Sequence, residues 1–437
     1  MKFYNREKEL ELLNSIKERS ATDAQMSVVV GRRRIGKTSL LKKAVENEDS
    51  ALYLFVTRKS EILICEEFKE EIERKLQAKT YGVITHFKDL FQFLMELSET
   101  RNFTLIIDEF QEFNSVNPSV YSEMQNIWDS NKGKSKINLI LCGSVYSLMK
   151  NIFENSKEPL FARATERIHL KPFNVNILKE ILADNYPAFN AEDLLAFYTF
   201  TGGVAKYVEL FVSKKAFTRA KILDEIFREN SLFIDEGRNV LIEEFGKDYA
   251  TYFSILSLIA SSKTSRSDIE SILGISVGGY LERMDNDFNL IKKVRPMFSR
   301  PGGRNIKYAI VDNFLNFWFR FIYKYQSAVE IGNFEYVRNI VERDYPTYTG
   351  KILERYFTEK LATQRLYSAI GTWWEKGNQN EIDIIAVNDL EKTILVAEVK
   401  HKEENISIPV LKEKAKNLQS QLKEYTFEFQ GYSIDDM

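Results

Sequence analysis

The stretch MSVVVGRRRIGKTSLLKKAV, residues 26–45, decides the fold of this chain. Its apolar start predicts a buried strand, and its last third has the periodicity of a helix. The loop between them fits the pattern G-x-x-x-x-G-K-[ST] at Gly31, Gly36, Lys37 and Thr38. Such glycines let the backbone fold around a phosphate with its N–H groups pointing inward, and the following helix adds the positive end of its dipole. The sequence therefore predicts a phosphate-binding loop between a strand and a helix.

This loop predicts a bound nucleoside triphosphate, which we take to be ATP, together with Mg²⁺. The Lys37 side chain can reach the β and γ phosphates, and the Thr38 hydroxyl can ligate the metal. The residues expected to line the site are Gly31, Arg32, Arg33, Arg34, Ile35, Gly36, Lys37, Thr38 and Ser39. A basic turn without a ligand is the alternative, and the strand before the loop and the helix after it disfavour it.

Two acids follow another apolar run, FTLIIDE at 103–109. An NTPase needs a carboxylate for its metal at the end of a buried strand. We expect Asp108 to hold the Mg²⁺ shell and Glu109 to orient and polarise the attacking water, although both acids could simply end a strand. Ser144 follows the run INLILCG, where it could sense the γ-phosphate or the water, or could be only a turn residue.

Two arginines lie in the connection PLFARATERIHLKPF, at Arg163 and Arg167. One of them, with Arg163 preferred, could stabilise charge in the transition state, either within the chain or across a subunit interface. A solvated basic face is the alternative, and the spacing fits both.

The remaining organisation follows from alternating patterns. Apolar runs alternate with helical stretches over the first 210 residues, which is typical of a parallel sheet with helices on both faces. Helical segments and then two strand-like runs around Pro301, Gly302 and Gly303 predict a winged helix. A last α/β segment follows. The length of 437 residues fits three domains of about 150 residues, which we place at 1–235, 236–330 and 331–437.

Three segments of the chain resemble a known protein family. FYNREKELELL at the start is similar to the N-terminal box of archaeal-type ATPases of the AAA+/STAND group, with matches at Phe3, Arg6, Glu7, Glu9 and Leu10. The stretches around Arg163 and TGGVAKYVEL, 201–210, are similar to that group too, although the usual Gly-Gly-x-Pro here ends in Ala205. The resemblance implies a P-loop ATPase with a winged-helix lid.

Charged residues also recur in two strand-like runs near the end, EIDIIAV and ILVAEVKHK. A short turn between the runs brings Asp383 close to Glu398, and strand alternation puts Glu398 and Lys400 on one face. Two carboxylates and a lysine are costly to bury without a partner. They make chemical sense around a divalent cation, which prefers oxygen ligands.

The spacing of Asp383, Glu398 and Lys400 looks like the PD-(D/E)xK nuclease core, and the resemblance implies a small restriction-endonuclease-like α/β domain. In that core the aspartate and the glutamate hold Mg²⁺ or Mn²⁺, and the lysine positions or activates water. A helix glutamate completes the site, for which we choose Glu354 in KILERYFTEKL, with Glu381 as the competing carboxylate and Glu375 as a more distant one. A solvated sheet face is the alternative.

Overall composition says little about partners. Lys and Arg number 61 against 63 Asp and Glu, for a net charge of −2, so no overall positive field indicates nucleic acid. Two cysteines, Cys65 and Cys142, fit a reducing compartment rather than a disulfide scaffold. No secretory signal is evident, and no apolar run reaches the roughly 18 residues of a membrane span. We therefore expect a cytoplasmic location and no membrane partner.

Two functional hypotheses result. In the first, an ATPase controls a metal-dependent nuclease-like domain that acts on nucleic acid, with DNA as the expected partner and defence as one possible context. In the second, a STAND-type switch uses ATP to change shape or assemble, and its C-terminal domain binds without cutting. A homo-oligomer is left open in both.

Overall fold

A computed structural model describes residues 2–80, 82–300, 302–303, 305–375, 377 and 379–437. The described chain divides into two compact units. The first is 5–171, and the second joins residues 2–4 to 172–437. The boundaries expected near 235 and 330 both fall inside the second unit and stay a prediction.

Five strands form the sheet of the first unit: β1 (Gln25–Val30), β2 (Leu52–Phe55), β3 (Phe103–Asp108), β4 (Ile137–Gly143) and β5 (Glu166–His169). Their order is β2-β3-β4-β1-β5, and all neighbours pair in parallel. β3 and β4 are buried along their whole length, as expected of strands covered on both faces. The predicted parallel sheet is confirmed, with β4 lying between the strand of the phosphate loop and the strand of Asp108.

Helices cover both faces of this sheet. They are α1 (Glu7–Ser20), α2 (Lys37–Ala44), α3 (Glu61–Leu76), α4 (Phe87–Thr100), α5 (Phe113–Val116), α6 (Val120–Asn131) and α7 (Tyr146–Glu154). Leu13 of α1 and Leu40 of α2 pack with Ile140 of β4 in one core. A second core on the other face contains residues of α3, α4, α6 and α7. The two-sided arrangement holds the carboxyl ends of the strands in one row, where the predicted site residues lie.

The second unit begins with helices. They are α8 (Val175–Asn185), α9 (Ala191–Thr201), α10 (Ala205–Ser213), α11 (Arg219–Ile226), α12 (Leu232–Phe245), α13 (Tyr249–Ala260), α14 (Arg266–Leu273) and α15 (Gly278–Asn286). An antiparallel pair follows, β6 (Ile291–Val294) and β7 (Lys307–Ile310). The helices α13, α14 and α15 and the β6–β7 hairpin therefore follow one another in the predicted order. Pro301 of the predicted turn lies outside the described residues.

Aromatic residues then fill the core of this unit. α16 (Asn313–Phe317) runs into a π-helix at Trp318–Tyr323, followed by α17 (Gln326–Glu330). Phe314, Phe317, Phe319 and Phe321 are fully buried. The stretch FLNFWFRFIY is thus a core element.

The chain ends in a four-stranded sheet with helices before and within it. The elements are α18 (Phe334–Thr363), β8 (Ala369–Trp373), β9 (Ile382–Asn388), β10 (Thr393–Val399), α19 (Ile408–Lys414), α20 (Lys416–Gln421) and β11 (Thr426–Tyr432). The strand order is β11-β10-β9-β8, and only β10 and β11 are parallel. Ala397 packs in the helical core of the unit, whereas Val396 faces a separate core with Leu411 of α19. Alternation therefore places Glu398 on the side of the sheet that α19 covers.

Among the described helices, none is both long enough and apolar enough to span a bilayer.

Candidate functional site

The phosphate loop is folded around the side chain of its own lysine. Gly36 (φ 97°) and Arg34 (φ 68°) adopt the left-handed conformation that turns the chain into α2. Lys37 is 6% exposed, and its ammonium donates to the carbonyls of Gly31 at 2.7 Å and Arg32 at 3.0 Å. The lysine thus lies inside the loop that would surround a phosphate.

Close packing explains why position 31 is a glycine. A Cβ atom there would lie 2.8 Å from the carbonyl oxygen of Leu170, at the end of β5. Leu170 is held in place because its N–H donates to the Val30 carbonyl at 2.8 Å. Arg6, buried at 5% exposure, donates to the Lys171 carbonyl at 2.7 Å. The N-terminal box thus supports the chain that packs against the loop, a contact that the sequence does not reveal.

Asp108 meets Thr38 at the end of β3. Its Oδ2 atom accepts hydrogen bonds from Thr38 Oγ1 at 3.2 Å and from the Tyr53 hydroxyl. Its Oδ1 atom accepts from the Glu109 N–H at 2.9 Å, and the residue is 3% exposed. The two residues predicted to serve the metal are therefore adjacent and offer only oxygen atoms, which suits Mg²⁺. Tyr53 was missed, because its approach depends on the register of β2 and β3.

Glu109 and Ser144 also come together. Glu109 has a left-handed backbone (φ 52°), and its Oε2 atom accepts from Ser144 Oγ at 2.8 Å and from Gln111 Nε2 at 2.5 Å. A Cβ atom at Gly143 would overlap the Gln111 side chain, which explains the glycine before Ser144. The predicted water-directing acid and the predicted sensor thus share a hydrogen bond at the tip of two neighbouring strands.

Electrostatics favour an anion in the loop. Burial lowers the pKa of Lys37 from its ordinary value, and the negative charges of Glu109 and Asp108 act in the opposite direction. A cation removed from water gains from a bound anion, because the anion replaces the lost solvation. The loop is therefore suited to a phosphate group.

The two arginines of the connection are engaged within the first unit. Arg163 Nη2 pairs with Asp129 of α6 at 3.0 Å, and its Nη1 donates to the Phe161 carbonyl at 2.9 Å. Arg167 Nη2 donates to the Phe153 carbonyl at 2.8 Å. The role of Arg163 in the transition state stays a prediction.

In the C-terminal sheet, Asp383 and Glu398 converge on one lysine. The register pairs Ile384 of β9 with Ala397 of β10, which sets the two acids side by side. Lys400 Nζ lies 3.4 Å from Glu398 Oε1 and 3.9 Å from Asp383 Oδ2. The Val399 N–H donates to Asp383 Oδ2 at 2.9 Å. The three residues that the sequence grouped are thus brought together.

Glu398 has further partners that the sequence did not suggest. Lys414 of α19 lies 3.2 Å from its Oε1 atom, and the Ser407 N–H donates to Oε2 at 3.2 Å. Burial raises the pKa of Glu398, but the Ser407 N–H and the charges of Lys400 and Lys414 together lower it by more, so that the net shift is downward. Lys414 could not be assigned from sequence, because many lysines flank α19.

Glu354 and Glu381 share another lysine. Lys351 Nζ lies 3.0 Å from Glu354 and 3.1 Å from Glu381, and Lys307 of β7 lies 3.5 Å from Glu381. Burial raises the pKa of Glu354 to about 7, and the nearby charge of Asp383 adds to the shift. The chosen helix glutamate is thus electrostatically coupled to the sheet acids. Glu375, by contrast, accepts from Asn417 at 2.6 Å outside this set.

We call the whole set the carboxylate cluster: Glu354, Glu381, Asp383 and Glu398, with Lys307, Lys351, Lys400 and Lys414. Its oxygen donors have the right chemistry for Mg²⁺. Each carboxylate, however, lies within ion-pair distance of an ammonium. Across the described part of the chain, no three or more His, Cys, Asp or Glu side chains are arranged as a metal site. A metal here would have to displace lysines.

Comparison with known proteins agrees with the ATPase fold of the first unit. Residues 3–211 match a family described as an ATPase domain predominantly from Archaea, and residues 318–418 match a family of archaeal and bacterial proteins of unknown function. The chain is 30% identical over 410 residues to the uncharacterized protein MJECL04 of Methanocaldococcus jannaschii, covering 92% of this chain and 88% of that protein.

A solved structure shows a similar fold. It is a Walker-type ATPase of Pyrococcus abyssi, which is 17% identical and has a TM-score of 0.55. The similarity covers 73% of this chain and 96% of that one. At this identity the likeness concerns the fold.

Proposed function

This chain belongs to the same family as the M. jannaschii protein and carries the archaeal P-loop ATPase domain, and from this we propose that its first unit binds and hydrolyses ATP with Mg²⁺. One observation carries the proposal. The Thr38–Asp108 and Ser144–Glu109 hydrogen bonds join four predicted site residues at the rim of the phosphate loop. Hydrolysis needs these groups at that edge of the sheet.

Each residue has a defined part. Lys37 and the loop N–H groups bind the phosphates, while Thr38 and Asp108 hold the metal. When bound, Mg²⁺ would neutralise charge on the phosphate oxygens. Glu109 orients the attacking water through its carboxylate, and Ser144 keeps that carboxylate at the tip of β4. Arg163 could add a positive charge from a second copy of the chain in an oligomer.

We further propose that the C-terminal domain is nuclease-like and acts on nucleic acid, with DNA as the first candidate. The support is the element order, a helix, three antiparallel strands, helices and a parallel strand, with Asp383, Glu398 and Lys400 together on it. The helices and hairpin at 249–310 are proposed to form a winged helix.

A second candidate function is a STAND-type ATP-dependent switch whose C-terminal domain binds without cutting. The charges of the carboxylate cluster favour it. Four lysines lie within ion-pair distance of the four carboxylates, so the charges of the cluster are compensated without a metal.

Nuclease and ATPase assays on the full chain separate the two candidates. Asp383→Ala should abolish Mg²⁺-dependent cleavage of DNA or RNA and leave ATP turnover intact, if the C-terminal domain cuts. Glu375→Ala, which changes a carboxylate of the same domain outside the cluster, is the matched control. Wild-type protein that turns over ATP but leaves every nucleic acid intact would support the switch and refute the nuclease.

A further inference from the structure

Tyr53 brings a phenol to the metal side of the ATP site from an element that carries no nucleotide motif. It lies on β2, the edge strand of the sheet, and is half-buried. Its ring packs beside the core formed with α1 and α2. Its hydroxyl nevertheless reaches the Asp108 carboxylate at the end of the neighbouring strand β3.

The direction of that hydrogen bond is fixed by chemistry. An ionised carboxylate only accepts, so Tyr53 donates. Asp108 Oδ2 therefore has two hydroxyl donors, Tyr53 and Thr38, and Oδ1 has the Glu109 N–H. Three donors from three different positions set the plane of one buried carboxylate.

The three donors to Asp108 are expected to respond differently when MgATP binds. Thr38 is expected to turn its oxygen toward the metal, and the Glu109 N–H belongs to a strand end that also carries the water-directing acid. Tyr53 lies on neither the loop nor β3, so it can keep Asp108 oriented while the other two groups serve the nucleotide. A carboxylate held in advance loses less freedom when it binds.

We propose that Tyr53 is a positioning residue that orients Asp108 toward the Mg²⁺ accompanying ATP. The inference rests on the proposed ATPase function of the first unit. It assigns a metal-dependent step of nucleotide binding to a side chain of the edge strand.

The test is binding of a fluorescent N-methylanthraniloyl ATP to the full chain, titrated with MgCl₂ and repeated in EDTA. Tyr53→Phe keeps the ring and removes one oxygen. It should raise the Mg²⁺ concentration for half-maximal binding by about 3-fold to 10-fold, which is the net contribution typical of one hydrogen bond. Affinity in EDTA should stay unchanged.

Tyr121→Phe is the matched control, since this buried phenol bonds to the Gln111 carbonyl at 3.3 Å instead of a carboxylate. It should leave the Mg²⁺ dependence as in the wild type. Thermal melting of both variants without nucleotide checks their folding.

Three outcomes overturn the inference. A Tyr53→Phe titration that matches the wild type leaves the ATPase proposal standing and removes only the role of Tyr53. An equal loss of affinity in EDTA shows damage to the loop instead of the metal side. Wild-type binding that ignores Mg²⁺ refutes the proposed function and this inference together.

Discussion

The phosphate loop and the carboxylate cluster use the same residue types in opposite ways. In the loop, one lysine is surrounded by backbone carbonyls, and the acids near it accept from hydroxyl and N–H groups. In the cluster, four acids are matched by four lysines. The first arrangement leaves a positive charge available for a ligand, and the second neutralises itself.

The two sites differ in how far apart in the sequence their residues lie. Gly31 to Thr38 is a single turn of chain, so its geometry follows from local residue types. The cluster draws lysines from β7, α18, the end of β10 and α19. In a site assembled from distant elements, several side chains each contribute part of the electrostatic stabilisation. Single substitutions in the loop should therefore strongly lower ATP turnover, whereas removal of a single lysine from the cluster should only weakly lower stability.

The strongest expected effect is at the loop lysine. Lys37→Ala should lower ATP turnover by at least about 100-fold, because the variant loses the charge that binds the β and γ phosphates. Steady-state phosphate release measures it. Lys42→Ala, an exposed lysine on the same helix, is the control and should retain wild-type turnover. Substantial ATP turnover by Lys37→Ala would mean that another cation binds the β and γ phosphates.

A second large effect should come from packing at the loop. Gly31→Ala would push a Cβ atom to 2.8 Å from the Leu170 carbonyl, and backbone at this distance must move. We expect a loss of about 1–3 kcal/mol in unfolding free energy, typical of overpacking, along with weaker ATP binding. Gly133→Ala, where a Cβ atom meets nothing within 4 Å, is the control in urea unfolding. Equal stability of the two variants would contradict the packing argument.

The cluster should respond to pH through Glu354. Its pKa is raised from 4.5 to about 7 by burial, so the folded chain holds a proton that the unfolded chain releases. Stability should therefore fall as pH rises from about 4.5 to about 7, by at most about 3 kcal/mol. Glu354→Gln should remove this slope in urea unfolding at a series of pH values. A wild-type slope that persists in the variant would assign the titration to another group.

The smallest expected effect is at Lys414, one of the two lysines that contact Glu398. Lys414→Ala leaves Glu398 with Lys400 and the Ser407 N–H, so the cost should be only about 0.5–1 kcal/mol. Differential scanning calorimetry against Lys416→Ala, an exposed neighbour, checks it. A much larger loss of stability would show that Lys400 and the Ser407 N–H do not compensate for Lys414.

Sequence reasoning predicted the parallel sheet of the first unit because its loop is strict and four of its five strands are apolar runs. It did not predict β5, whose sequence ERIH is not apolar. It also grouped Asp383, Glu398 and Lys400, since short-range alternation and one turn determine their faces. It could not find Tyr53, Lys351 or Lys414. Their contacts depend on strand register and helix packing, to which no local pattern points.

The most direct test of the central claim measures ATP turnover and nucleic-acid cleavage in one Mg²⁺ reaction of the full chain. We compare the wild type with Lys37→Ala and Asp383→Ala. We expect Lys37→Ala to lose both activities and Asp383→Ala to lose only cleavage. Absence of ATP hydrolysis by the wild type, or cleavage that survives Asp383→Ala, would contradict it.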